Sequence, residues 1–162
     1  MTGETIALLM RNLVFLCCLV KLSMSDFKEY KIPDHCLVIS AVAWIMAIPF
    51  VFHFYDGWSG IFSHLMAAVI YGSGIFLIAV LMEHILKRDS LGGGDIKLIA
   101  VMGLYLGMDE TLYAMLGACI LTLAVMLWPR TKSRKKRDVF PFGPALAVAT
   151  GVMVLWDFCH TL

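Results

Sequence analysis

Charged residues are scarce in this sequence. Only 15% of its 162 residues are Asp, Glu, Lys or Arg, whereas 60% are hydrophobic. Soluble domains have about 25% charged residues, so this composition excludes an ordinary water-soluble protein. A helix needs about 20 apolar residues to cross the hydrocarbon layer, so the chain can hold about six or seven spans and no separate soluble domain.

Cysteine is also sparse and lacks a metal-binding spacing. The sequence has five cysteines, most of them inside apolar runs, and no two form a C-x-x-C pair. This pattern excludes a zinc ribbon and a disulfide scaffold. We expect the cysteines to pack as small apolar side chains between helices.

Long apolar runs dominate the rest of the chain. They cover residues 5–24, 36–55, 61–85, 96–108, 111–128 and 140–158. The first run has no small-residue cleavage site and further spans follow it, so we expect a retained helix rather than a signal peptide. The fourth run is shorter than a full span, so it begins inside the membrane or is covered by its neighbours. The sequence predicts an all-α polytopic membrane protein, a single domain over residues 1–162 with about six transmembrane helices.

Among the loops, only alternate ones contain basic residues. The loops after the first, third and fifth spans hold ten Lys and Arg residues, and those after the second and fourth hold none. By the positive-inside rule, the odd-numbered loops are cytoplasmic and both chain termini lie on the other side. We interpret the basic run at residues 130–137 as a topology signal and lipid-phosphate contact rather than a nucleic-acid site.

Two aspartates, Asp26 and Asp95, follow odd-numbered spans, so the topology places them on one side of the membrane. Each lies near a chain-breaking feature: Asp26 precedes Ile32 and Pro33, and Asp95 ends a run of three glycines. Two carboxyls brought together can share one proton, so that one activates a water and the other polarises a scissile carbonyl. Asp95 is also placed to cap a helix, and its spacing alone leaves that structural role open.

Three segments of the sequence resemble the type IV prepilin peptidase family. L-G-G-G-D-I-K-L at residues 91–98 resembles the family's G-x-G-D-x-K motif, and S-D-F-K-E-Y-K-I-P-D at residues 25–34 resembles its first motif, an aspartate followed by Ile-Pro. P-F-G-P-A at residues 141–145 resembles the segment that starts the family's last helix. The three segments occur in the family's order and together extend over nearly the whole chain.

The resemblance implies an aspartyl endopeptidase of the bacterial inner membrane that removes the basic leader of a pilin-like precursor at the cytoplasmic face. Asp26 and Asp95 would be its catalytic pair. The supporting motif residues would be Gly92, Gly94, Lys97, Ile32 and Pro33, and Pro141 and Gly143 would shape the substrate entrance or simply start a helix. Lys97 would stabilise a carboxylate or contact the substrate backbone. Oxygen ligands from Asp26, Asp34 and Asp95 would suit Mg²⁺ or Ca²⁺, but we expect no metal and no cofactor.

Two features depart from the family pattern. The first motif usually continues Ile-Pro-Asn, whereas this chain has Asp34 after Ile-Pro. Asp34 either shifts the titration of Asp26 and Asp95 or caps the second helix, and we favour capping. Longer bifunctional members carry a cysteine-rich insertion and methylate the new pilin N-terminus. This sequence lacks the insertion, so it is more similar to the short peptidase-only members, such as those serving Flp (tight adherence) pili.

Functions of other classes stay open at this point. A small transporter or channel would also place acids in membrane helices, although here the acids cluster on one side. A non-catalytic scaffold of a pilus or secretion machine is the other alternative. We expect Asp89 to be solvated, and Glu83 and His84 to be polar ends of the third span rather than a relay.

Overall fold

The computed structural model describes residues 3–29, 33–52, 57–87, 92–127 and 142–161. These residues form five α-helices, which confirms the predicted all-α class. They are α1 (Gly3–Glu29), α2 (Asp34–Val51), α3 (Trp58–Leu86), α4 (Gly93–Leu127) and α5 (Gly143–Thr161).

The outer faces of the helices are strongly apolar. Large side chains such as Met46, Leu77 and Ile120 are more than 60% exposed, as expected where lipid rather than water covers the protein. Among the described residues, three helical stretches are long and apolar enough to cross a membrane: Ile6–Asp26, Trp58–Leu86 and Gly93–Leu127. Asp34–Phe50 and Gly143–Asp157 are shorter apolar helices.

The helix boundaries differ from the predicted ones at two informative places. α1 continues to Glu29, past the predicted end at Met24, because the chain-breaking proline comes only later. Pro33 is extended (φ −72°, ψ 116°) and α2 begins directly after it, as predicted. The fourth predicted span and the described part of the fifth lie within α4, and the break between them is at Gly107 rather than at the predicted loop of Asp109 and Glu110.

α4 lies at the centre of the bundle and packs against α2, α3 and α5, while α1 packs against α2 and α5. The closest neighbour of α4 is α3. A Cβ atom on Gly103 would lie 2.7 Å from the backbone N and Cα of Ala68, and one on Gly72 would lie 3.0 Å from the Cβ of Ala100. The small residues therefore let the two helices touch backbone to backbone.

The break at Gly107 is filled by side chains from α3 and α4. Gly107 has a positive φ of 76°, a conformation that L side chains rarely adopt. His64 packs onto it, with Nδ1 3.1 Å from the carbonyl oxygen of Leu104, and Tyr71 donates to the carbonyl of Met108 at 2.7 Å. Thr111 donates to the carbonyl of Gly107 itself at 2.6 Å. Such contacts satisfy backbone groups that a helix break inside a membrane would otherwise leave open.

A buried polar and aromatic cluster ties α1, α2 and α4 together. The guanidinium of Arg11 donates to Asn12 Oδ1 at 3.0 and 2.8 Å and lies over the Tyr105 ring, 5.3 Å from its centroid. Tyr105 stacks on Phe15 with the ring centroids 3.8 Å apart, and its hydroxyl donates to the carbonyl of Ser40 at 2.8 Å. The cluster fixes the relative register of the helices that carry Asp26 and Asp95.

Candidate active site

Asp26 lies on the last turns of α1, not in a loop, and its residue is only 6% exposed. Its carboxyl packs against the first residue of α5, Gly143, so closely that a Cβ atom there would lie 2.6 Å from Asp26 Oδ2. Within the described residues Oδ2 has no hydrogen-bond partner of good geometry. A buried carboxyl oxygen of this kind is costly unless it takes part in chemistry or binds water.

Asp95 lies in the first turn of α4. Its backbone N–H donates to the carbonyl of Gly92 at 3.0 Å, and a Cβ atom on Gly92 would lie 3.4 Å from Asp95 Oδ2. Asp95 is thus the third residue of the helix rather than its N-cap, although the helix dipole still favours a carboxylate in this turn. Gly94 separates Gly92 and Gly93 from Asp95 and is half-buried.

The Asp26 and Asp95 carboxyls interact electrostatically, since the negative charge of one disfavours ionisation of the other. Asp26 reaches this place from the end of α1, and Asp95 from the start of α4. The two aspartates that the sequence selected therefore lie within electrostatic reach of each other. A pair of adjacent carboxyls can hold one proton between them, which leaves a general base and a general acid side by side.

Lys97 forms an ion pair with a carboxylate, but this carboxylate is that of Asp34. Its Nζ donates to Asp34 Oδ1 at 2.8 Å, and both side chains are largely exposed, at 57% and 66%. Asp34 is the first residue of α2 and follows the N-cap, Pro33, so it does not cap the helix with its side chain. The ion pair of Lys97 and Asp34 links the start of α2 to the start of α4. Lys97 is two residues from Asp95 in the sequence.

Some of the remaining predicted residues lie outside the described part of the chain, and others lie within it. Ile32, Pro141 and Asp89 lie outside the described residues, as do the basic residues 130–137. Glu83 and His84 are exposed near the end of α3, and no contact described for their side chains makes them a relay. Pro33 performs its expected role at the start of α2.

Gly143 is the residue whose importance the sequence understated. It was expected to shape an entrance or to start a helix, and it does begin α5, but it also forms the wall against which the Asp26 carboxyl rests. Only its place in the P-F-G-P-A segment pointed to it, and that segment says nothing about which side chain it touches. No group of three or more His, Cys, Asp and Glu side chains in the described part of the chain is placed to hold a metal ion.

The chain is similar in sequence to known proteins. The family model described as the type IV leader peptidase family matches residues 13–127. A prepilin leader peptidase/N-methyltransferase of Xanthomonas campestris is 27% identical over 145 residues, which are 89% of this chain and 49% of that protein. Proteins of the same name from Pseudomonas putida and Stutzerimonas stutzeri are 24% and 27% identical, each over 85% of this chain and 46% of theirs.

The chain spans about half the length of the curated relatives it matches. No solved structure matches it.

Proposed function

Because the chain belongs to the type IV leader peptidase family, we propose that it is a membrane aspartyl endopeptidase that removes the leader peptide of pilin-like precursors. The observation that carries the proposal is the buried Asp26 carboxyl at the end of α1, whose charge acts on the Asp95 carboxyl at the start of α4. The proposal is restricted to peptidase activity, because the chain matches only about half of relatives whose names include a second activity.

The carboxyl pair supplies both proton transfers that peptide hydrolysis needs. The ionised carboxyl takes a proton from a water, whose oxygen adds to the scissile carbonyl carbon, while the protonated carboxyl gives its proton to the carbonyl oxygen. The tetrahedral intermediate then collapses, the C–N bond breaks, and the amine leaves with a proton returned from the pair. Neither a serine nor a cysteine nucleophile takes part. The side of Asp26 away from Gly143 is where water and the scissile peptide would meet the pair.

We propose six membrane passes, in which α4 provides two. In a straight helix Gly117 would lie about 36 Å from Gly93 at 1.5 Å per residue, whereas Ala149 lies only about 9 Å along α5 from Gly143. Yet a Cβ atom on Gly117 would touch the Cβ of Ala149 at 3.7 Å. This contact supports a reversal of the chain at Gly107, with the second part of α4 returning alongside α5.

That arrangement agrees with the proposed orientation. If the chain reverses at Gly107, then α4 ends on the same side as Asp26 and Asp95, and the basic residues at 130–137 follow this end in the sequence. By the positive-inside rule this side is the cytoplasm, and both termini are then periplasmic. The precursor's apolar helix would lie in the bilayer, with its leader on the cytoplasmic side where the carboxyl pair stands.

The experiment is cleavage of a pilin precursor by the purified protein in detergent. Leader loss is followed on a gel, and the new N-terminus is identified by mass spectrometry, with detergent extracts of membranes lacking the protein as the blank. We expect one cut that separates the leader from the mature chain. If folded protein leaves every precursor intact, the peptidase proposal is wrong and the scaffold alternative is favoured.

A further inference from the structure

The start of α5 forms one wall of the carboxyl site. Gly143 is buried, and a Cβ atom on it would lie 2.6 Å from Oδ2 and 3.1 Å from Cγ of Asp26. The first distance is shorter than non-bonded carbon and oxygen atoms adopt, and the second is tighter than most contacts of a Cβ atom. The space that a methyl group would need is therefore the space that the Asp26 carboxyl occupies.

The requirement for glycine at this position comes from space and not from backbone conformation. The φ angle of Gly143 lies outside the positive range, unlike those of Gly57 and Gly107, so an L residue could adopt its backbone. The backbone N–H of Gly143 also interacts with the Asp26 carboxyl. A helix N-terminus offers unsatisfied N–H groups and the positive end of the helix dipole, both of which favour a carboxylate.

The Asp26 carboxyl meets Gly143 at the start of α5 and interacts with Asp95 at the start of α4. α1 and α5 pack together along their length, and Gly143 limits how far Asp26 can turn toward α5. Asp95 interacts with it from the start of α4. A carboxyl pushed off Gly143 would change its distance and angle to Asp95, and the pair works only if that geometry is kept.

We propose that Gly143 is a positioning residue that seats the Asp26 carboxyl for its partnership with Asp95. The inference rests on the proposed peptidase function, in which these two aspartates carry the chemistry. Gly143 acts through the absence of a side chain and through its backbone N–H, and it does not itself react.

The test compares Gly143→Ala with Gly151→Ala. Both glycines lie on α5 and face α1, but a Cβ atom on Gly151 would meet only Leu16 Cδ2, at an ordinary 3.7 Å. With a pilin precursor as substrate, Gly143→Ala should lower kcat by about 10- to 100-fold, because a shift of about 1 Å in a reacting group has an effect of this size. KM should change less than about two-fold, and Gly151→Ala should match wild type in both constants.

A second readout does not depend on activity. A carbodiimide that modifies protonated carboxyls in membranes is applied to both variants, and labelling of Asp26 is measured by mass spectrometry. Asp26 should be shielded in wild type and in Gly151→Ala, and labelled several-fold faster in Gly143→Ala. Both variants should keep the thermal unfolding midpoint of wild type, because alanine favours helix formation over glycine.

The outcomes separate the two proposals. Absence of precursor cleavage by wild type would overturn the peptidase function, while the Asp26 labelling still tests the seating. Unchanged kcat or unchanged labelling in Gly143→Ala would overturn the inference. So would loss of cooperative unfolding in Gly143→Ala, because the carboxyl and not the helix packing is expected to move.

Discussion

The crossing of α3 and α4 gives a sharp prediction for Gly103→Ala. The added Cβ atom would lie 2.7 Å from N and Cα of Ala68 and 2.9 Å from the carbonyl carbon of Ala67. All three are backbone atoms, so no side-chain rotation relieves the clash. The two helices must separate, and α4 carries Asp95 eight residues earlier.

The size of the effect follows from these distances. Carbon atoms pack at about 3.5–4.0 Å, so the crossing has to open by about 1 Å. Forcing an extra methyl group into a packed interior costs about 1–3 kcal/mol. Alanine regains up to about 1 kcal/mol of helix propensity over glycine. Because all the clashing atoms are backbone atoms, we expect the upper part of this range, about 2–3 kcal/mol, and therefore a net loss of about 1–2 kcal/mol in the free energy of unfolding.

The assay is equilibrium unfolding in detergent, followed by circular dichroism as the denaturing detergent fraction is raised. Gly74→Ala is the matched control, since it makes the same substitution on α3 where no atom of the described residues lies within 4 Å. It should lose no stability. If Gly103→Ala is as stable as wild type, or Gly74→Ala loses as much, the backbone-to-backbone crossing is not what holds α3 on α4.

Two further substitutions test contacts that support the site. Lys97→Glu should lower kcat/KM, and adding Asp34→Lys should restore part of the lost kcat/KM. The coupling energy of the two residues in a double-mutant cycle should be about 0.2–1 kcal/mol, because both side chains are exposed. No recovery in the double variant would mean that the pair does not hold α2 against α4. His64→Phe should lower the free energy of unfolding by about 1–3 kcal/mol, because the Leu104 carbonyl loses its donor. His64→Gln keeps a donor and should recover most of that loss in the same unfolding assay, so equal losses for the two would contradict this role.

Much of the helical framework could be predicted from the sequence. A run of about 20 apolar residues has few alternatives to a helix in a membrane, because every backbone polar group must be satisfied within the chain. The start of α2 after Pro33 was equally predictable, since proline restricts its own backbone and that of the residue before it. The two aspartates could be selected because charge placed them on one side and motifs resembled a known family.

Other features depended on three-dimensional contacts that no local pattern contains. The residues after Met24 are polar, which suggested the end of a span, yet α1 continues for another turn and carries Asp26 within it. Gly107 is one glycine among many in the sequence, and only its positive φ and the packing of His64 onto it, both seen in the folded chain, distinguish it from Gly103. The ion pair of Lys97 with Asp34 joins residues 63 positions apart, and neither residue alone identifies the other.

The most direct test of the account is the rate of precursor cleavage by Asp26→Asn and Asp95→Asn. Asparagine keeps the size of the side chain but cannot exchange a proton, and Asp109→Asn, an exposed acid beyond Gly107, is the matched control. We predict that each of the first two variants is folded and at least about 100-fold slower than wild type, while the control stays within about two-fold. Wild-type cleavage by either Asp26→Asn or Asp95→Asn would contradict the assignment of these two carboxyls as the catalytic pair.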